Sequence, residues 1–293
     1  MNRFESIRKP GIWYMGFLLT VLLAGCGGGQ DPILGSGGSP RAGDLGILSP
    51  FGIASYGGIT NTNSGGTTQI NGDAVLNPTY TCNAAAVGST NDFSACIAPN
   101  IPLNNPPGDR VVTPIFPDTT TAPAVTAALT ARWNSLSPAS MPGATVLGCG
   151  TIGSAGGGGV LIGCAGNATL PAGTYISATN STIDVAGTLT LNGSATDVWV
   201  FQAPSALTTA VGSTILLTGG ARASNVWWYV GSSATLNGST TFNGNVFASA
   251  SISMGNLATS CGRLLAGAGG SGAFALDTNT VSVPGLPSAP LCQ

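Results

Sequence analysis

The sequence predicts an all-β protein, a three-sided β-solenoid with one long α-helix packed beside it. Three observations lead to this prediction. The second half of the chain repeats itself loosely, glycine supplies 45 of the 293 residues, and only one segment has the periodicity of a helix. A solenoid stacks short strands joined by tight corners, so it needs glycine and asparagine at the corners and apolar residues inside.

The repeat begins near Gly166 and is clearest in four apolar segments that start at residues 198, 226, 245 and 263. The steps between these starts are 28, 19 and 18 residues. Each segment is followed by two further short strand patterns, so three strands make up one turn of about 18 to 20 residues. The predicted second strands are 207–209, 234–236, 252–254 and 274–276, and the predicted third strands are near 213–217, 239–242, 258–261 and 280–283.

The chain begins with a predicted lipoprotein signal peptide, residues 1–25. Arg3, Arg8 and Lys9 precede an apolar run that is short for a membrane span. The run ends in Leu23-Ala24-Gly25-Cys26, which resembles the bacterial lipobox. The resemblance implies that Cys26 is acylated after removal of the signal, and that the protein is exported and anchored to the cell envelope. In a Gram-negative cell, Gly27 after the cysteine favours the outer membrane, facing the surface or the periplasm. The alternative is an ordinary signal peptide with a chance cysteine.

Three further regions follow the signal. Residues 26–43 are rich in Gly and Ser and predict a flexible tether. The folded domain is predicted to cover 44–293, beginning with short strands and turns over 44–73. Residues 74–118 contain several prolines and predict an irregular cap or insertion.

The only predicted helix covers 119–137. Thr119 to Thr121 offer an N-cap before Pro123, and Pro138 ends the segment. Val125, Leu129 and Trp133 share one helical face, so the helix is expected to pack on a flat surface.

Apart from Cys26, the chain has six cysteines, an even number that predicts disulfides in an exported protein. Many connectivities are possible, and pairing of nearest neighbours predicts Cys82–Cys96, Cys149–Cys164 and Cys261–Cys292. No metal site is expected, since the chain has no CxxC motif and no histidine.

Charged residues make up only 6% of the sequence, and past residue 25 there is no Lys, Glu or His. Five Arg against nine Asp in that part do not favour nucleic-acid binding. The absence of Lys, Glu and His past residue 25 also excludes the catalytic triads of serine hydrolases and cysteine proteases, glycosidase carboxylate pairs that use Glu, and lysines that form Schiff bases. Neither an enzyme nor a cofactor is therefore predicted. The remaining chemistry-bearing residues are expected to pack or to cap turns rather than to stack sugars or form a carboxylate pair; they are Trp199, Trp227, Trp228, Asp184, Asp197 and Asp277.

Several short segments together resemble the microbial ice-binding protein family built on a discontinuous β-solenoid. The resemblance covers roughly 44–283 and depends on the order and spacing of the segments. They include Asp44-Leu45-Gly46, Gly72-Asp73, Leu170-Pro171-Ala172-Gly173-Thr174-Tyr175, Val198-Trp199-Val200-Phe201-Gln202 and Ala223-Ser224-Asn225-Val226-Trp227-Trp228. The family implies a right-handed solenoid, a helix beside it, an N-terminal segment that pairs with the C-terminal coils, and an ice crystal surface as the partner.

An ice-binding surface needs a flat, rigid array of small groups, and successive coils place equivalent residues about 4.7–4.9 Å apart. Strand alternation, with Leu189, Leu207, Ala234, Ile252 and Phe274 inside, predicts one outward column through Thr190, Thr208, Thr235, Ser253 and Ala275. A second column, two residues on, contains Asn192, Ala210, Asn237, Gly255 and Asp277.

A monomer is expected. The main alternative is a surface adhesin or structural glycan-binding module without ice activity, and an enzyme acting on polysaccharide is a third reading.

Overall fold

The computed structural model describes residues 40, 42–62, 68–76, 82–84, 121–148, 150–153, 169–178, 181–285 and 292. They lie in the compact unit formed by residues 31–293. Within them the chain forms strands numbered β1 to β23 in chain order, one α-helix and short 3-10 turns. No helix in these ranges is long and apolar enough to cross a membrane.

The strands form three sheets, here named A, B and C, in which the paired strands are parallel. Sheet A contains β1 Phe51–Ser55, β4 Asp73–Leu76, β6 Thr145–Leu147, β9 Gly173–Ser177, β12 Trp199–Ala203, β15 Val226–Val230, β18 Asn245–Ala248 and β21 Leu264–Ala266. Sheet B contains β2 Ile59–Asn61, β5 Cys82–Ala84, β7 Thr151–Ile152, β10 Ile183–Val185, β13 Leu207–Thr209, β16 Ala234–Leu236, β19 Ile252–Met254 and β22 Phe274–Leu276. Sheet C contains β3 Gln69–Asn71, β8 Thr169–Leu170, β11 Thr188–Asn192, β14 Thr214–Thr218, β17 Thr241–Asn243, β20 Thr259–Cys261 and β23 Thr280–Ser282.

Each coil visits the three sheets in the order A, B, C, as β12, β13 and β14 do. The N-terminal strands do not continue this order along the stack. Instead β1, β2 and β3 pair with β21, β22 and β23, the last coil of the chain. The three-sided solenoid with one helix alongside is therefore confirmed, as is the pairing of the N-terminal segment with the C-terminal coils.

The predicted irregular segment 74–118 begins too early. Residues 74–76 belong to β4 and pair with β1, and residues 82–84 form β5, which pairs with β2. Ala74, Val75 and Leu76 are apolar and buried, which makes them suitable for a strand within the stack. The rest of the predicted segment lies outside the described residues.

The interior of the solenoid is filled by inward side chains that alternate with outward ones along each strand. It contains an aromatic stack in which the ring of Phe201 lies between those of Tyr175 and Trp228, with centroids 5.5 and 4.1 Å away. Phe242 continues the stack from sheet C, 5.3 Å from Trp228. Stacked aromatic rings add to the free energy gained from burying apolar area.

The corner between sheets C and A requires glycine. Gly244 and Gly262 occupy equivalent positions in successive coils and have φ values of 122° and 146°. A Cβ atom at Gly262 would collide with the carbonyl oxygen of Gly244. The backbones of adjacent coils therefore meet here at a distance that only glycine permits.

Helix α1, Thr121–Ser135, lies on the outer side of sheet A. It ends at Ser135, before the predicted bound of 137, because Leu136 already belongs to a turn. Val125 and Leu129 are buried against sheet A, as predicted from their shared face. Trp133 stacks on Tyr229 with a centroid distance of 4.9 Å.

One of the three predicted disulfides is confirmed. Cys261 in β20 is bonded to Cys292, and their Cα atoms are 5.2 Å apart. Cys26, Cys96, Cys149 and Cys164 lie outside the described residues, so lipidation of Cys26 and the pairs Cys82–Cys96 and Cys149–Cys164 stay predictions.

Candidate functional site

The outer side of sheet B carries most of the residues that the sequence singled out. Among the described residues, no helix or further sheet packs against this side, in contrast to sheet A. Its strands are short, and six of them, β2, β10, β13, β16, β19 and β22, have the burial pattern of an outward residue between two buried ones. We call the outward side chains of this sheet surface B.

The central column of surface B is set by the strand register. Thr208 pairs with Thr235, Thr235 with Ser253, and Ser253 with Ala275. Thr60 of β2 extends the column beyond Ala275. Neighbouring members are about 4.7–4.9 Å apart because they lie on adjacent hydrogen-bonded strands. Surface B therefore presents five successive small, uncharged side chains in one line.

The residue two positions before the column member is also small in six described coils. The ladder of backbone hydrogen bonds continues through these residues, so they belong to the same flat surface. From one end to the other they are Thr182, Ala206, Ser233, Ser251, Ala273 and Gly58. A row without long side chains keeps the surface flat over its whole length.

The predicted column is wrong at one position. Thr190 and Asn192 belong to β11 in sheet C, where Thr190 pairs with Leu216 and Asn192 with Thr218. The residue that pairs with Thr208 is Asp184. The coil contains two similar triplets, Ile183-Asp184-Val185 and Leu189-Thr190-Leu191, and their local pattern alone does not distinguish which one continues sheet B.

The predicted second column lies at the edge of surface B. Ala210, Asn237 and Gly255 come directly after β13, β16 and β19, where the chain turns toward sheet C. The side-chain amide of Asn237 donates a hydrogen bond to the carbonyl oxygen of Thr209, 2.7 Å away. These residues form the corner, and Asn237 clamps adjacent coils together.

The sequence analysis did not place Thr60, Thr151 or Asp184 in the central column. Each lies in a segment that only partly matches the triplet of one small polar residue between two apolar ones, or that lies far along the chain from the clear repeats. Ile59-Thr60-Asn61 and Ile183-Asp184-Val185 do place one polar residue after an apolar one, and this signal could have found them. Their alignment with the column depends on pairing with β22 and β13.

Asp184 is the one charged residue among the described members of the central column. The hydroxyl of Thr208 donates a hydrogen bond to its Oδ1. Asp197 caps a turn by accepting a hydrogen bond from the backbone N–H of Ser194, at 2.7 Å, as predicted. Asp184 lies in β10, whose neighbour in sheet B is β13, and Asp277 follows β22, three strands beyond β13. Asp184 and Asp277 therefore do not form a carboxylate pair.

The described arginines with strong burial lie on the side of sheet A. Arg263 donates from Nε to the carbonyl oxygen of Ser49, and burial lowers its pKa to about 10. Arg132 stacks over the ring of Trp227, 5.4 Å from its centroid. Burial lowers the pKa of Arg132, and the nearby carboxylate of Asp44 opposes this by raising it. Both charges are therefore kept away from surface B.

The three tryptophans that the sequence analysis singled out form no exposed platform. Trp199 and Trp228 lie in the solenoid interior, and Trp227 lies in the core between sheet A and α1; all three are buried. The expectation that they serve packing is confirmed.

Relatives of known structure have the same architecture. The crystal structure of an ice-binding protein from the Antarctic ascomycete Antarctomyces psychrotrophicus aligns with a TM-score of 0.60 and 31% identity, over 82% of this chain and 97% of that one. An ice-binding protein from an Antarctic biological consortium aligns with a TM-score of 0.59 and 28% identity, over 86% of this chain and 95% of that one.

Curated relatives match a shorter part. An ice-binding protein of Flavobacterium frigoris (strain PS1) is 35% identical over 42% of this chain, and one of Nostoc sp. (strain HG1) is 42% identical over 40% of it. The match spans 42% of the length of each of these relatives. The model of the family described as ice-binding-like matches residues 53–282, which include nearly every strand of the solenoid. The chain therefore belongs to the ice-binding-like family.

Proposed function

We propose that this protein binds ice through surface B and is no enzyme. The observation that carries the proposal is the central column of Thr208, Thr235, Ser253, Ala275 and Thr60, which is in register, uncharged and borne by a rigid sheet. Relatives that share the fold are named ice-binding proteins. The charge-poor composition agrees with this use, because ice presents a repeating array of water molecules and no net charge.

The mechanism follows from the geometry of the column. The threonine methyl group favours cage-like water, while the hydroxyl anchors that water to the protein. Parallel strands fix the spacing between side chains at about 4.7–4.9 Å, so the ordered water would keep a constant repeat. Long charged side chains would disturb this layer, since they are mobile and hold their own hydration shells. No bond is made or broken, so no catalytic residue is required.

The test uses Thr208→Tyr and Thr235→Tyr in the purified protein. Each substitution puts a bulky ring into the middle of the column, at a half-buried position that faces solvent. We expect both to lower ice-crystal shaping and thermal hysteresis, and Thr235→Tyr to do so without changing the thermal unfolding midpoint. Thr196→Tyr is the matched control, because Thr196 is an exposed threonine in the turn before β12.

Two outcomes contradict the proposal in different ways. If the unsubstituted protein neither shapes ice nor shows thermal hysteresis at high concentration, ice binding is wrong, and a surface adhesin on the same scaffold becomes the better reading. If the protein is active and the two variants retain that activity, the ice-binding surface lies elsewhere on the solenoid.

We also propose that Cys26 carries a lipid anchor that holds the domain at the cell envelope. The support is the lipobox-like Leu23-Ala24-Gly25-Cys26 followed by a Gly/Ser-rich tether. Two or three acyl chains suffice for stable anchoring, because each buried methylene contributes about 0.8 kcal/mol. Mass spectrometry of the N-terminal peptide is expected to find acylated Cys26, and Cys26→Ser is expected to leave the protein out of the membrane fraction. An unmodified Cys26 in a soluble protein would contradict the anchor.

A further inference from the structure

Sheet C carries a second line of outward side chains that the ice-contact proposal has not used. Five successive paired strands, β11, β14, β17, β20 and β23, each contribute a threonine, and Gln69 of β3 follows beyond the last of them. Register pairs each with the next. We call this line the threonine row: Thr188, Thr214, Thr241, Thr259 and Thr280.

The threonine row is accessible and evenly spaced. Thr241 and Thr259 are exposed, and the other three are half-buried. Five residues on adjacent strands span about 19 Å at the usual separation of paired strands. Within the described part of the chain, no side-chain hydrogen bond involves the hydroxyls of Thr214, Thr241 or Thr280, so these three are available to water. Thr208 on surface B differs, since its hydroxyl donates to Asp184.

A neighbouring column on the same sheet serves as an internal comparison. Two residues further along the same strands, the outward side chains are Thr190, Leu216, Asn243, Cys261 and Ser282. These five positions share the sheet, the strand direction and the outward orientation with the threonine row. Apart from Cys261, which is held by its disulfide to Cys292, the preference of β-strands for threonine would act equally on both columns. It therefore does not account for five identical residues in one column and five different ones in the other.

The chemistry of sheet C favours ice over other partners. None of the described outward residues of its strands is charged or aromatic. Lipid headgroups and nucleic acids would need basic residues, and sugars are commonly met by aromatic rings. The threonine row offers only methyl and hydroxyl groups at a fixed repeat, the same groups that surface B offers.

We infer that the threonine row is a second ice-contact surface, on a face inclined to surface B. This inference rests on the proposed function, because it takes ice as the ligand. The two faces meet at a corner where each of five coils has a residue with positive φ: Gly187, Gly212, Ser239, Leu257 and Thr278. Two flat faces at a fixed angle bind different crystal planes, or two planes of one ice edge.

The test measures which planes of a single ice crystal the fluorescently labelled protein covers. The unsubstituted protein is expected to label two sets of planes. Thr235→Tyr is expected to remove one set, and Thr214→Tyr with Thr241→Tyr the other, while all three together leave the ice unlabelled. Thr196→Tyr is expected to label as the unsubstituted protein does. Thr241→Lys is a second variant of the row, since an exposed lysine adds charge and bulk without filling space inside the fold.

The outcomes separate this inference from the proposed function. If the unsubstituted protein leaves ice unlabelled, the proposed function itself fails. If it labels ice and the row variants, shown to be folded by their thermal unfolding, label the same planes as before, the inference is overturned while ice binding through surface B stands. A single set of planes that disappears in Thr235→Tyr also overturns it.

Discussion

The ring of Trp133 on α1 stacks on the ring of Tyr229 in sheet A, with centroids 4.9 Å apart and an angle of 25° between the planes. The indole Nε1 of Trp133 also donates a hydrogen bond to the carbonyl oxygen of Val230, at 2.9 Å. The helix is thereby fixed on one of the three sheets. The helix covers sheet A, and it leaves the outer sides of sheets B and C free of helical contacts in the described part of the chain.

Replacing Trp133 is expected to weaken this attachment without touching surface B. We expect Trp133→Ala to lower the free energy of unfolding by about 3 kcal/mol, the low end for a large aromatic residue because Trp133 is only partly buried. Trp133→Phe keeps the stacking and loses the hydrogen bond, so its loss is expected to be about 1 kcal/mol. Urea unfolding measures both. Equal losses would mean that the stacking contributes nothing, and reduced thermal hysteresis of the folded variant would place the helix within the ice-contact region.

Asp184 interrupts the uncharged column of surface B. We expect Asp184→Asn to increase thermal hysteresis, because the uncharged line would then run from Thr60 through to Thr151, over seven strands instead of five. The asparagine oxygen can still accept the hydrogen bond from Thr208. Asp197→Asn removes a charge of the same kind from a turn away from the column and serves as the control. Unchanged hysteresis in Asp184→Asn would show that the ice contact ends before this residue.

Leu257 has a left-handed backbone at the corner between sheets B and C. Its φ is 61°, and its side chain is 56% exposed. Because an L-residue with a Cβ pays a steric penalty there, we expect Leu257→Gly to raise the free energy of unfolding by about 1 kcal/mol. Gly212 has a φ of 71° at the equivalent corner, and a Cβ there would meet no atom within 4 Å.

Gly212→Ala is therefore the matched control, with an expected loss of about 1 kcal/mol from the backbone alone. Thermal and urea unfolding measure both variants. A loss of stability in Leu257→Gly would mean that the exposed leucine side chain contributes more through its contacts than its backbone strain costs.

Alkaline pH is expected to destabilise the fold through Tyr175 and Tyr229. Burial raises the pKa of each above the value of 10.0. Below pH 10 both phenols are neutral in the folded and the unfolded chain, and their full contribution to stability is present. Above pH 10 the unfolded chain ionises first, so stability falls as the pH rises toward the folded pKa.

The check is urea unfolding of the protein and of the double variant Tyr175→Phe with Tyr229→Phe, at pH 8 and above pH 10. The double variant is expected to lose less stability between the two conditions, although it loses the hydrogen bond from the Tyr175 hydroxyl to the carbonyl oxygen of Pro171, 2.7 Å away. An equal loss in both proteins would assign the alkaline effect to other groups.

Much of the solenoid could be predicted from the sequence because the relevant signals are local. Triplets such as Leu207-Thr208-Thr209 and Ile252-Ser253-Met254 place a small polar residue between two residues that the core accepts, and the structure assigns these triplets to β13 and β19 with the predicted bounds. The buried face of α1 could also be predicted, since Val125 and Leu129 recur at helical spacing before Pro138.

The sequence by itself determined which residues point inward and which outward, because that alternation depends only on neighbours along the chain. Only the tertiary structure decided which outward residues stand side by side. Thr190 and Asp184 have equivalent local patterns. Hydrogen bonding between coils places Asp184 beside Thr208 in sheet B, and it places Thr190 in sheet C. The alignment of Thr188, Thr214, Thr241, Thr259 and Thr280 was hidden for the same reason. Its members are separated by unequal stretches of chain, and only the hydrogen-bond register of parallel strands brings them into one row.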